Sequence, residues 1–201
     1  MWVKICGITS LEDAEMAVEA GVDALGLNFF ARSPRSVSVE QAKAIIRAIS
    51  EPVEWVGIFV NESPVRIQEL AKELPLDWVQ LHGDEDRLLL EQLRGVQRIK
   101  AIRVQTQNDL EQIRAIPAEA YLLESLSSKY GGTGKEWNWE WGMKWTPNYR
   151  IILSGGLKPE NVGEVIQKVR PYGVDVCSGV EASPGKKDRE KVFRFVKEGH
   201  L

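Results

Sequence analysis

The chain has 201 residues, 43% of them hydrophobic and 27% charged, with a net charge of −3. That size suits one domain with a sizeable core, and the near balance of charge argues against nucleic acid or an anionic membrane as the main partner. No apolar run approaches the roughly 18 residues that span a bilayer, the start reads as a strand rather than a signal peptide, and two cysteines make no disulfide framework, so a cytoplasmic protein is expected.

The first stretch, Val3-Lys4-Ile5-Cys6-Gly7, reads as a short strand stopped by a glycine. A helix follows, capped by Ser10 or Thr9, with Glu12 and Asp13 in its first turn. Alternation along the strand puts Val3 and Ile5 on one face and Lys4 and Cys6 on the other. Further apolar runs lie at 24–29, 55–60, 78–81, 98–104, 120–123, 150–153 and 174–177. With the first at 2–6 they recur about every 20 to 30 residues, the size of one strand–helix unit. Helical patterns fall between them at 11–20, 39–49, 64–73, 86–93, 108–115, 159–169 and 188–197, while 138–144 carries the weakest. Eight such units in this length predict a single (β/α)8 TIM barrel over residues 1–201. An open doubly wound sheet fits less well, because GxGxxG is absent after the first strand.

In a barrel the chemistry sits where strands end and βα loops begin. Ser154-Gly155-Gly156-Leu157 follows the seventh strand and Ser178-Gly179-Val180-Glu181 the eighth. Glycines let backbone N–H groups approach an anion, so Gly155, Gly156, Ser178 and Gly179 are candidate phosphate ligands; alone, each loop is also a plain tight turn. Tyr130-Gly131-Gly132-Thr133-Gly134-Lys135, beyond the sixth strand, reads as a cover over the substrate. Arg32 and Arg35, after the second strand, could clamp a carboxylate or phosphate, although most loop arginines are simply solvated.

A buried cysteine is usually an inert small hydrophobe. Cys6 differs by standing at a strand end on the Lys4 face, where positive charge can make it a usable base. Glu124 closes strand six facing the mouth and can be a general acid if burial raises its pKa; an ion pair or a cap is the plainer alternative. Asp175 shares a face with Cys177, on the strand that neighbours strand one in a closed barrel, and is a candidate substrate or supporting contact. His82 is as easily structural as catalytic. The tryptophans at 137, 139, 141 and 145 read as packing.

Lys4-Ile5-Cys6-Gly7-Ile8-Thr9, Gln80-Leu81-His82-Gly83, Gly131-Gly132-Thr133-Gly134, Ser154-Gly155-Gly156-Leu157 and Gly173-Val174-Asp175 through Ser178-Gly179-Val180-Glu181 together resemble the phosphoribosylanthranilate isomerase family, along the whole chain and in order. The resemblance implies an Amadori rearrangement in tryptophan biosynthesis, converting an aminoaldose to an aminoketose. It needs no metal and no cofactor, and the protein is a monomer or homodimer. It carries the general base onto Cys6, the anthranilate carboxylate onto Arg35, and the phosphate onto loops seven and eight. The chain departs from the family where Leu122-Leu123-Glu124 replaces a Leu-Leu-Asp context, moving the carboxyl out by one methylene, about 1.5 Å. It departs again where Trp137-Asn138-Trp139 replaces Phe-Asp-Trp. The first departure leaves an alternative: an impaired barrel that binds a phosphosugar without turnover. A histidine-pathway aminoaldose isomerase would have an aspartate in place of Cys6.

Overall fold

The computed structural model describes residues 1–125 and 137–200. Eight parallel strands follow one another around a closed barrel: β1 Trp2–Cys6, β2 Ala24–Asn28, β3 Glu54–Phe59, β4 Trp78–Leu81, β5 Gln97–Val104, β6 Ala120–Ser125, β7 Ile151–Leu153 and β8 Gly173–Val176. β8 closes the ring on β1, with Lys4 beside Asp175 and Ile5 beside Val176. Every strand starts and stops within two residues of the run expected from sequence.

The strands bury both faces, which is why they read as continuous apolar runs. Ala24, Val56, Trp78, Ile99, Ala101, Ala120, Leu122 and Ile152 fill the barrel interior, while Val3, Ile5, Leu25 and Leu27 belong to the layer under the helices. Lys4 points inward and is fully buried. Gly26 of the adjacent strand makes room for it, since a Cβ there would stand 3.1 Å from Lys4 Cε.

The outer layer holds α1 Leu11–Glu19, α2 Val39–Ala48, α3 Pro64–Glu73, α4 Arg87–Gln92, α5 Gln112–Ala115, α6 Val162–Val169 and α7 Arg189–Gly199. Ser10, Ser38, Ser63, Asp86 and Asp188 cap five of them through their side chains, so the choice between Thr9 and Ser10 falls to Ser10. The fifth unit differs from expectation: a 3-10 turn over Gln107–Glu111 precedes the single helical turn of α5. The sixth unit has a 3-10 turn, Trp139–Lys144, with Asn138 accepting from the Glu140 N–H as its cap. After β8 come a 3-10 turn, Ser178–Val180, and a ribbon of β9 Glu181–Ser183 and β10 Lys186–Lys187, reversing through Gly185 at φ +82°. No described helix is long and apolar enough to cross a membrane.

Candidate active site

Cys6 ends β1 at the mouth, directly above Lys4. Lys4 Nζ donates to Asp175 Oδ1 at 2.7 Å, and Ser154 Oγ donates to Asp175 Oδ2 at 3.2 Å, so both carboxylate oxygens have protein partners. From the ribbon, Lys187 reaches back under the mouth, where its Nζ donates to the carbonyls of Cys6 at 2.7 Å and Cys177 at 3.3 Å. The Cys177 thiol hydrogen-bonds Cys6, and that bond, with the charges of Lys4 and Lys187, outweighs burial and Asp175 to bring the Cys6 pKa down to about 6. Cys177 itself is pushed well above the ordinary thiol range by the same bond and by burial. One sulfur of the pair is therefore a thiolate at neutral pH and the other a thiol.

Arg35 closes one side of the mouth. Its Nε and Nη2 each donate at 2.7 Å to the two oxygens of Glu181, a bidentate fork that leaves the remaining guanidinium protons available. Glu181 also accepts from Lys187 Nζ at 3.2 Å, and burial notwithstanding, these cations hold its carboxyl below the usual range. Gly7, at φ +74°, lies beneath Arg35; a Cβ there would stand 2.7 Å from Arg35 Cδ and 3.0 Å from Cys177 Sγ. The turn after Cys6 thus requires glycine both for its backbone and for the space above it.

Glu124, near the end of β6, is buried, and its Oε1 lies 2.5 Å from His82 Nε2. The other ring nitrogen of His82, Nδ1, lies 2.8 Å from Gln80 Nε2, while Gln80 Oε1 is buried with no hydrogen-bond partner among the described residues. The loop carrying His82 is anchored from below. Lys100 Nζ donates to Glu85 Oε2 and to the Gly83 carbonyl, each at 2.8 Å, and Glu85 accepts from the Gly83 N–H.

Glu124 shares a cleft with Ser154, Gly155, Gly156, Asp175, Ser178 and Gly179. Gly155 and Gly156 both have φ of +77°, and the N–H groups of Gly155, Gly156, Ser178 and Gly179 make no hydrogen bond to another described residue. A Cβ on Gly179 would fall 2.0 Å from the Leu157 carbonyl oxygen, so loops seven and eight interlock there. The indole N–H groups of Trp137 and Trp139 donate to the carbonyls of Ser154, at 2.9 Å, and Gly155, at 3.2 Å. Arg32 lines a second recess at the rim with Phe29, Phe30 and Phe59, where the Phe29 and Phe59 rings stack 5.4 Å apart. The glycine-rich stretch from Tyr130 to Lys135 lies outside the described residues.

The fold thus gathers Cys6, Glu124, Arg35, Gly155, Gly156, Asp175, Ser178 and Gly179 at one end of the barrel. Glu181, Lys187 and the His82 contact were not foreseen. The turn Pro184-Gly185 between short polar stretches is the sequence signal that could have suggested the ribbon carrying Lys187.

A model of the N-(5'-phosphoribosyl)anthranilate (PRA) isomerase family matches residues 3–198. An N-(5'-phosphoribosyl)anthranilate isomerase of Pelobacter propionicus is 48% identical over 198 residues, 97% of this chain and 93% of that one. Among solved structures, the phosphoribosyl anthranilate isomerase of Thermotoga maritima superposes with a TM-score of 0.92 at 42% identity, covering 100% of this chain and 98% of the other. A crystal structure of a phosphoribosyl anthranilate isomerase in complex with reduced 1-(o-carboxyphenylamino)-1-deoxyribulose 5-phosphate superposes with a TM-score of 0.88 at 40% identity, with the same coverage.

Proposed function

The chain belongs to the N-(5'-phosphoribosyl)anthranilate isomerase family, and on that premise we propose that Cys6 and Glu124 are its base and acid. It is an aldose–ketose isomerase of tryptophan biosynthesis that rearranges N-(5'-phosphoribosyl)anthranilate to 1-(2-carboxyphenylamino)-1-deoxyribulose 5-phosphate. Glu124 gives a proton to the furanose ring oxygen, opening the sugar to a Schiff base. Cys6 thiolate then takes the proton on C2', which the adjacent iminium has made acidic, and the enolamine tautomerises to the ketone. Each proton transfer contributes about 10²–10⁴ in rate.

The observation that carries this assignment is the surroundings of Cys6: Cys177, Lys4 and Lys187 hold it ionised down to about pH 6. Substrate phosphate is read onto the amides of Gly155, Gly156, Ser178 and Gly179, and the anthranilate carboxylate onto the protons of Arg35 that Glu181 leaves over. The stacked Phe29 and Phe59 offer a flat apolar wall for the aryl ring. Asp175, with both oxygens engaged, serves by fixing Lys4 beneath Cys6. Nothing in the site favours a binder without turnover.

Turnover of freshly generated substrate by the wild type, Cys6→Ser, Glu124→Gln and Glu124→Asp tests the assignment. Loss of about 10²-fold or more is expected in the Ser and Gln variants. A misplacement near 1 Å costs on the order of 10²-fold, so Glu124→Asp should also be slow if the site is built around the longer side chain. An enzyme indifferent to Glu124→Gln has its acid elsewhere.

A further inference from the structure

A general acid must carry its proton at the pH where the enzyme works, and a partner that shares that proton helps to keep it in place. His82 stands where it can share that proton with Glu124. Its Nε2 and Glu124 Oε1 are 2.5 Å apart in a buried setting, close enough for one proton to serve both. On the far side of the ring, Gln80 accommodates either charge state. With His82 neutral, Gln80 Nε2 donates to Nδ1 across the 2.8 Å contact. With His82 charged, the amide turned over presents Oε1, which otherwise has no partner among the described residues, as the acceptor for Nδ1–H.

We propose that the acid of the reaction is the His82–Glu124 pair sharing one proton, with His82 a positioning residue that keeps this proton at the site above neutral pH. The proposal rests on Glu124 being the acid. The shared proton passes to the ring oxygen, leaving Glu124 ionised and His82 neutral. Cys6 takes the C2' proton and returns it to C1, and the C2' hydroxyl proton restores the pair as the ketone forms, so the cycle closes with no net proton taken up.

The charges facing the pair come from four sides. β1 presents Lys4 and the Cys6 thiolate, and β8 presents Asp175. β5 presents Arg103, in register with Glu124 and paired with Asp84, while the Lys100–Glu85 pair lies under the His82 loop. Burial works most strongly against a charged His82, and Lys4 adds to it. The charge and hydrogen bond of Glu124, with help from Cys6, prevail and raise the ring above the ordinary histidine range. A raised pKa means the proton is held below it and lost above it, so it sets the basic limb of the rate profile.

The chain has only two histidines, which makes ¹⁵N-histidine NMR a direct test with His200 as the second signal. In the wild type, both ring nitrogens of His82 should be protonated at pH 7.5, and kcat/KM should fall as that signal titrates. His82→Gln, which keeps an amide donor near Glu124, should lower kcat/KM by about 10²–10³-fold at pH 7.5. Lower pH makes a proton easier to hold without His82, so the deficit relative to wild type at the same pH should narrow between pH 7.5 and 5.5, the Cys6 limb lowering both enzymes alike. His82→Asn and urea denaturation check that the loss is not one of folding; if both variants unfold, the wild-type spectrum decides. A bare His82 nitrogen at pH 7.5, or an unchanged pH profile in a folded His82→Gln, overturns the shared proton. If Glu124→Gln is still inactive in that case, Glu124 remains the acid alone; if Glu124→Gln is active, the assignment of Glu124 itself fails.

Discussion

Asp175→Asn leaves Lys4 charged inside the barrel without the carboxylate it is hydrogen-bonded to. The lysine is 0% exposed and its Nζ lies 2.7 Å from Asp175 Oδ1, so water cannot take over the lost partner's role. Removing one member of a buried pair costs about 3–5 kcal/mol. For a chain of this size each kcal/mol moves Tm by about 2–4 °C, which gives a fall of about 6–20 °C. Replacing both members, as Lys4→Met with Asp175→Leu, strands no charge and should recover most of that loss. The same pair acts on Cys6 with opposite signs, since Lys4 draws its pKa down and Asp175 pushes it up. Lys4→Met should therefore raise the Cys6 pKa and Asp175→Asn lower it, as read from thiolate ultraviolet absorbance in urea-controlled, folded samples. A double variant no more stable than Asp175→Asn, or two pKa shifts of the same sign, would refute the reasoning.

A thiol pKa lowered by folding means the thiolate is present above it and is lost as pH falls through it. Both kcat/KM and the rate of alkylation of Cys6 by iodoacetamide should then share an acid limb near pH 6, and Cys177→Ala should move that limb upward; a limb near the free-thiol value of about 8.5 would count against the Cys177 bond and the two lysines. Gly179→Ala puts a methyl 2.0 Å from the Leu157 carbonyl oxygen, so the loops must part at a cost of about 1–3 kcal/mol. Inhibition by inorganic phosphate should weaken about fivefold or more in that variant, and unchanged inhibition would remove these loops from the phosphate site.

The barrel was legible because its strands are buried on both sides, so that each appears as an unbroken apolar run whatever its neighbours do. The rim was legible in part, because glycines and charged residues at strand ends break those runs. What escaped depends on contacts that no local period records. His82 and Glu124 are 42 positions apart and meet only because strands four and six end on the same rim. Arg35 and Glu181 are 146 apart and meet across the β1–β8 seam. Strands of three and two residues, β9 and β10, are too short to show alternation, so the lysine they deliver to Cys6 could not be placed. Around 139–144 the tryptophans recur without a 3.6-residue stripe, and the chain settles for a 3-10 turn instead of a helix.

Those tryptophans set a polarity. In a trans peptide the C=O and the following N–H point in opposite directions. The indoles of Trp137 and Trp139 hold the Ser154 and Gly155 carbonyls on one side of loop seven, so the N–H groups of Gly155 and Gly156 are turned to the other. A Gly-Gly loop by itself has no preferred direction, since glycine accepts either orientation of the peptide plane. Moved into another barrel without its two indole donors, this loop would carry the same glycines but have no reason to greet an anion with its amides.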